Sequence, residues 1–182
     1  IHTHYDAEIL LNPGLGESVR HGVTTAVPGC CSMSTVYARA EDAADLFSRV
    51  EAVPRKHVIA ALEDFQDWTE PEGYVKRLDS LPLGPNVASF LGHSDLRTAV
   101  MGLRRATDTW SLPSRAELRR MAEMLDRAKR EGFAYPAINV SSSQTLVLPS
   151  AACTALPTMA LPSEGCASSQ WPSWSAIARC TK

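Results

Sequence analysis

The sequence has no run of 18 apolar residues, so it offers no membrane-spanning helix. It has no excess of either charge: 18 Lys and Arg against 20 Asp and Glu leave a net charge of −2. Proteins devoted to nucleic-acid backbones carry a basic surplus, and that class is set aside. Neither a GxGxxG run nor a Walker-type GxxxxGK run follows an apolar segment, which removes the dinucleotide and P-loop readings. No CxxC pair marks a structural zinc site, and the chain is long for a disulfide-stapled miniature. The five cysteines are an odd number and fit unpaired thiols in a reducing, cytoplasmic compartment. There is no initiating Met, and no basic start followed by a long apolar run. From Ile1 onward the chain is expected to be a piece of a larger protein rather than a secreted precursor.

What is present is an ordinary globular mixture, 45% hydrophobic and 21% charged. Its first part alternates apolar runs with amphipathic stretches. Gly22 to Pro28 is β-branched and compact, and predicts a buried strand. Ala43, Leu46, Phe47, Val50 and Val53 predict a helix over 41–53 that Pro54 ends. His57 to Leu62 reads as a second short strand. Thr69 and Glu72 suggest a capping box before a short helix carrying Tyr74, Val75, Leu78 and Leu81. Asn86 to Leu91 predicts another strand. The clearest helix runs from Arg115 to Glu131, with Ser114 and Glu117 as capping box and Gly132 as its stop. Leu118, Met121, Ala122, Leu125 and Ala128 form its apolar stripe. Phe133 to Val140 begins one more strand.

Strands alternating with helices imply an α/β fold with a parallel sheet, either doubly wound or a barrel. Residues 1–140 form this unit. Residues 141–182 differ: they are rich in Ser, Ala and Pro, and their only charges are Glu164, Arg179 and Lys182. An irregular segment of that length is unexpected inside a compact domain.

The chemistry-bearing residues sit beside the ends of the apolar runs. His2 and His4 are two apart, so on a strand both imidazoles face one side and can meet one metal region. Asp6 is placed to assist or to orient a histidine. Cys31 follows the Gly22–Pro28 run, where a thiolate suits a borderline metal. The plainer reading of Cys31, and more so of Cys30, is a buried inert thiol. His93 follows the Asn86–Leu91 run and can ligate, shuttle a proton or bind substrate. Arg97 and Arg104 can hold a carboxylate through paired donors, or lie solvated on the surface. His21 and His57 read as ordinary histidines. Barrel enzymes place their chemistry at the C-terminal ends of strands, and this clustering favours a metallohydrolase.

The segment Ile1-His-Thr-His-Tyr-Asp-Ala7 and the segment His21-Gly-Val-Thr-Thr-Ala-Val-Pro-Gly-Cys-Cys31 together resemble the opening of the N-acyl-D-amino-acid deacylase family. That family belongs to the amidohydrolase superfamily. Pro85 to His93, Leu96-Arg97, Ala99 to Gly102 and the long helix after Ser114 extend the resemblance to about residue 138. It implies a zinc-dependent hydrolase of the amide bond of N-acyl-D-amino acids on a TIM-type (β/α) barrel. This chain would supply about the first three to four βα units, a partial barrel that is not closed. The resemblance assigns His2, His4 and Cys31 to the metal, and His93, with Arg97 as an N–H donor to the substrate carboxylate, to the substrate pocket. The family usually has Gly-Asn-Cys-Gly where this chain has Gly29-Cys30-Cys31-Ser32. The family's later metal-binding histidines and its general-base aspartate have no counterpart here. The 182-residue chain alone is therefore expected to be inactive.

Residues 141–182 do not continue the family pattern, and a frameshifted or mis-assembled coding sequence is the simplest account of them. The partner implied is a small N-acyl amino acid, with neither nucleic acid nor membrane. The competing expectation is a non-catalytic α/β binding or assembly module, for which the HxH pair is incidental and Cys31 is core.

Overall fold

The computed structural model describes residues 3–51, 53–108 and 110–133, and the backbone of 136–137. Its elements run α1 (Glu8–Leu11), α2 (Gly16–Arg20), β1 (Thr25–Ala26), α3 (Ala40–Val50), α4 (Arg55–Phe65), α5 (Pro71–Ser80), β2 (Asn86–Val87), β3 (Leu91–Gly92), α6 (His93–Met101), α7 (Leu103–Ala106), α8 (Arg115–Arg130) and β4 (Pro136–Ala137). The chain is thus mixed helix and strand. Residues 141–182, expected to be irregular, lie outside the described residues, as does most of the strand expected over 133–140.

Both strand pairs are parallel. β1 pairs β2 with Thr25 opposite Asn86 and Ala26 opposite Val87. β3 pairs β4 with Leu91 opposite Pro136 and Gly92 opposite Ala137. The first pairing continues past the strand bounds. Asn86 N–H donates to Thr24 O, Ala88 N–H to Ala26 O and Phe90 N–H to Pro28 O, at 2.9, 3.1 and 3.1 Å. Alternate residues bond, as a parallel ladder requires. Each pair is joined by helices: α3, α4 and α5 between β1 and β2, then α6, α7 and α8 between β3 and β4. The run expected as one strand over 86–91 is two short strands, interrupted at Ala88 to Phe90.

The segment 57–62, expected as a strand, lies within helix α4. Its apolar residues satisfy both periods over so short a run, and Val58, Ala61 and Leu62 are the ones buried, at helical spacing. Pro54 ends no helix. α3 stops at Val50, and Pro54 is the N-cap of α4. Val50 and Val53, expected on the inner face, are exposed. The Thr69–Glu72 capping box is absent too. Glu70 is the N-cap of α5, and Pro71 occupies the first turn, where its fixed φ and missing N–H cost nothing.

Helix α8 forms as expected. Ser114 Oγ accepts the Glu117 N–H at 3.2 Å, and Glu117 Oε2 accepts the Ser114 N–H at 2.7 Å. At its end Gly132 takes φ +98°. Phe133 N–H then reaches Ala128 O, and Gly132 N–H reaches Lys129 O, a Schellman ending. Met121, Leu125 and Ala128 face the core. Arg127 ties α8 to α5 through Glu72, 2.6 Å, and Glu70, 3.0 Å.

The core centres on Ile9, Val36, Leu62, Tyr74 and Leu91, all fully buried. Trp68 and Tyr74 meet edge to face at 5.4 Å, and Trp68 Nε1 donates to Thr35 O. Among the described residues no helix is long and apolar enough to cross a membrane.

Candidate functional site

The paired runs 24–28 and 86–90 end together, and the chemistry collects beyond their C-terminal ends. From Gly29 the chain turns sharply. Gly29, Cys31 and Ser32 have φ of +83°, +52° and +65°. At Gly29 this conformation goes with close approach: a Cβ there would lie 2.2 Å from Phe90 O. Only glycine fits. Cys31 and Ser32 carry side chains in the left-handed region, at a cost of about 1–2 kcal/mol each.

The turn is fastened to the neighbouring run. Ser94 N–H donates to Ser32 O at 2.7 Å, and Gly92 N–H to Ser34 Oγ at 3.0 Å. A Cβ on Gly92 would lie 2.4 Å from Ser32 O, so this glycine too is fixed by contact. Asp95, in the first turn of α6, accepts the Ser34 hydroxyl and the N–H groups of Val36 (2.9 Å) and Tyr37 (3.1 Å). It is fully buried. Burial lifts its pKa to about 6 against the pull of these donors.

The segment bearing His4 is stitched to the same turn. Thr3 Oγ1 donates to Val27 O at 3.0 Å. Gly29 N–H donates to Asp6 Oδ2 at 3.1 Å. Asp6 is 1% exposed, and its Oδ1 is buried with no hydrogen-bond partner. Burial lifts its pKa to about 7. Cys30 is buried with Sγ 3.4 Å from Val27 O, and burial raises its thiol pKa while the Thr3 backbone opposes the rise. Cys31 is half-buried.

His4 lies on irregular chain. Residues 3–5 form no strand, so the alternation expected to aim both histidines at one face does not apply to them. His2 lies outside the described residues. His4 Nδ1 is 2.7 Å from Glu51 Oε1, at the C-terminal end of α3. Asp6, expected to orient a histidine, instead holds the Gly29 backbone.

His93 begins α6, and Arg97 lies one turn further on. Burial, with the Arg97 charge second, pushes the His93 pKa down to about 4, so its imidazole is neutral. Arg97 is half-buried. Its Nη2 reaches Ala106 O and Ser111 O at 3.5 Å each, and among the described residues no carboxylate is within ion-pair distance. Arg104 is exposed on α7. His21 and His57 are exposed, as ordinary histidines often are.

Among the described residues no group of three or more His, Cys, Asp or Glu side chains is placed to hold a metal ion. Of the expected donors His2, His4 and Cys31, two are described. An imidazole and a thiol suit zinc chemically, but two donors fall short of the three or four a zinc centre takes.

A cavity of about 560 Å³ lies elsewhere, at the N-terminal ends of β1 and β2, lined among others by Val19, Val23, Leu78, Leu83 and Asn86. Its described lining has no His or Cys, and parallel sheets place ligands at the opposite, C-terminal ends of their strands.

On sequence grounds Asp95 and His93 are too few for a catalytic pair, and neither Ser34 nor Glu51 is singled out as part of a site. Asp95 bonds to residues 58 to 61 positions earlier, a separation that no local pattern reveals. Its one sequence signal is an acid in a helix's first turn.

No protein-family model matches the chain. It is 66% identical over 133 residues to an uncharacterized protein of Mycobacterium tuberculosis, covering 73% of this chain and 22% of that protein. It is 30% identical over 134 residues to the N-acyl-D-aspartate deacylase of Alcaligenes xylosoxydans, covering 72% of this chain and 23% of that protein. The chain therefore spans less than a quarter of the length of these relatives. Among solved structures, it is 28% identical to a D-aminoacylase described as defining a novel subset of amidohydrolases, with a TM-score of 0.55 over 76% of this chain and 25% of the other. It is 26% identical to the N-acyl-D-glutamate deacylase of Bordetella bronchiseptica complexed with zinc and a phosphonate inhibitor, with a TM-score of 0.60 over 84% of this chain and 29% of the other. The chain is a distant homologue of the D-aminoacylase type of amidohydrolase over about three quarters of its length.

Proposed function

We propose that the chain is part of a zinc-dependent amidohydrolase that cleaves the amide bond of N-acyl-D-amino acids. Residues 1–140 would form the first three to four βα units of a TIM-type barrel, not closed within this chain. Residues 141–182 would be a separate irregular segment produced by a shifted reading frame. The observation that carries the functional reading is the stitching of the His4 segment to the Cys31 turn through Thr3–Val27 and Asp6–Gly29. An imidazole-bearing and a thiol-bearing segment are thereby held side by side beyond the ends of parallel runs, as one shared centre requires.

In this reading His2, His4 and Cys31 are donors to zinc, and longer-protein segments complete the set. When bound, zinc would polarise the scissile carbonyl and lower the pKa of water. His93, neutral near pH 7, lines the substrate pocket as a hydrogen-bonding group without charge. Arg97 offers a guanidinium with no described carboxylate beside it, suited to the free carboxylate of an N-acyl amino acid. Glu51 Oε1 lies 2.7 Å from His4 Nδ1, an acid beside the imidazole on the side away from Nε2.

The experiment is metal analysis of a longer protein that carries this segment, beside its His4→Ala and Cys31→Ala variants. Stoichiometric zinc in the parent and its loss in both variants supports the reading. Equal metal content in all three favours a non-catalytic α/β binding or assembly module. Translation of the neighbouring frames tests the origin of residues 141–182: family-like sequence in another frame is the expected result, and none in any frame ends that account.

A further inference from the structure

We infer that Asp6 is the positioning residue for the Cys31 thiol, acting through the Gly29 N–H to fix the left-handed turn that presents it.

The turn is a strained piece of backbone. Two side-chain-bearing residues, Cys31 and Ser32, occupy the left-handed region in succession. Such a conformation persists only where its surroundings over-determine it. The far end is held by Ser94 N–H on Ser32 O, and the middle by Met33 N–H on Cys30 O, 3.0 Å. The near end is Gly29, whose φ of +83° and contact with the Phe90 backbone leave its peptide one orientation. In that orientation the buried Gly29 N–H needs an acceptor, and Asp6 Oδ2 supplies it across 23 residues of sequence.

The choice of acceptor is informative. A carboxyl group 1% exposed, with Oδ1 buried and unpartnered, costs free energy that a hydroxyl would not. What the carboxyl adds is reach and rigidity. It lies two residues after His4, so the bond sets the spacing between the His4 segment and the Cys31 turn. Thr3 Oγ1 on Val27 O is the second stitch of the same seam. The sulfur of Cys31 is one residue beyond the bonded peptide's neighbour, so a rotation at Gly29 moves it directly.

The inference rests on the reading of Cys31 as a metal donor, and the test separates the two. Three variants of the 182-residue chain are compared with the parent: Asp6→Asn, which keeps an acceptor, and Asp6→Ala and Asp6→Leu, which do not. Without metal, the alkylation rate of Cys31 is followed by mass spectrometry of its peptide, and Gly29 amide exchange is measured alongside. The expected result is a Cys31 rate within twofold of the parent for Asp6→Asn. Asp6→Ala and Asp6→Leu should change it at least fivefold and exchange Gly29 at least tenfold faster, with a cooperative melt retained.

Cadmium then serves as the metal probe, read by its thiolate absorption, with affinity kept in Asp6→Asn and at least tenfold weaker in the other two. An unaltered Cys31 rate in Asp6→Ala and Asp6→Leu overturns the inference. So does an equal change in all three variants, or loss of the cooperative melt in both apolar ones, which would make Asp6 a folding residue. If the thiol rates follow the expected pattern and a longer protein that carries this segment takes up no cadmium, the metal reading fails and the positioning role stands.

Discussion

Asp95 and Ser34 are 61 residues apart in sequence and share a fully buried hydrogen bond, the serine hydroxyl donating to the carboxylate. The same Ser34 oxygen accepts the Gly92 N–H, and the same carboxyl group accepts from Val36 and Tyr37. One acid thus fastens the stretch that follows the Cys31 turn to the start of α6. Asp95→Ala leaves three buried donors without an acceptor, each at about 1–3 kcal/mol. We expect it to lower unfolding free energy in urea by about 3–5 kcal/mol, with Asp95→Asn losing less. A loss under 1 kcal/mol for the alanine variant would remove Asp95 from this role.

His93 and Asp95 push acid stability in opposite directions. Burial raises Asp95 from 3.8 to about 6, so the folded chain takes up a proton between those values that the unfolded chain does not. Its term adds stability as pH falls through 6 toward 4. Burial and Arg97 lower His93 from 6.5 to about 4, so the unfolded chain binds the extra proton there. Its term is fully present above 6.5 and is lost as pH falls toward 4. Each amounts to about 2 kcal/mol between pH 6.5 and 4.5, and they nearly cancel. The Arg97 charge that acts on His93 remains in the variant. Relative to the parent, His93→Gln should gain about 2 kcal/mol on moving from pH 6.5 to 4.5, measured by urea unfolding at both. An identical pH response in parent and variant would contradict the assignment.

The turn at Gly29 to Ser32 makes opposite predictions for two residues. Ser32 carries its side chain at φ +65°, so Ser32→Gly should raise unfolding free energy by about 1 kcal/mol. Gly29→Ala should lower it by more than about 3 kcal/mol, since a methyl there meets the Phe90 carbonyl as well as an unfavourable φ. Thermal melts of both variants would decide this. A destabilised Ser32→Gly would mean that the serine side chain contributes more than its backbone costs.

How much of this was readable in advance varies with the range of the forces involved. Helix α8 was readable to within a residue at both ends, because Ser114, Glu117 and Gly132 act on their own neighbours. The parallel runs were readable from apolar, β-branched content, but not their extent: the buried strand expected over Gly22–Pro28 is only Thr25–Ala26 with residues 22–25 exposed, and the second run is interrupted at Ala88 to Phe90. Segment 57–62 was misread because five small or apolar residues fit either period, and packing against α3 and α1 chose the helix. Cys31 and His93 are singled out by their place after apolar runs, and the structure puts them in the turn beyond β1 and at the start of α6. The polar seam of Asp6, Gly29, Ser34 and Asp95 was not readable, because its bonds cross 23 to 61 residues. Glu51 beside His4 is likewise invisible to any local rule.

The end of α8 gives an independent check on local structure. Gly132 at φ +98° lets two carbonyls of the last turn find donors. Gly132→Ala keeps every other contact and forces a methyl into the left-handed region. It should cost about 1 kcal/mol in a thermal or urea melt, without changing the reactivity of Cys31. A neutral substitution would show that this helix end relaxes when challenged.

The last prediction concerns the chain as a catalyst. Amide hydrolysis by a metal centre needs a filled donor set, a proton-transfer group beside the reacting water and a pocket that holds the substrate carboxylate. The described residues offer His4, Cys31, His93 and Arg97, and no group of three or more donors to a metal. Asp6 and Asp95 are acids buried beneath the turn, already engaged to backbone and serine donors. We expect the 182-residue chain to release no D-amino acid from N-acetyl-D-aspartate, N-acetyl-D-glutamate or N-acetyl-D-leucine, with or without added zinc. We expect release from a longer protein that carries this segment, at a rate lowered at least a hundredfold by Cys31→Ala. Zinc-dependent turnover by the chain alone would show that residues 1–182 already hold a complete site.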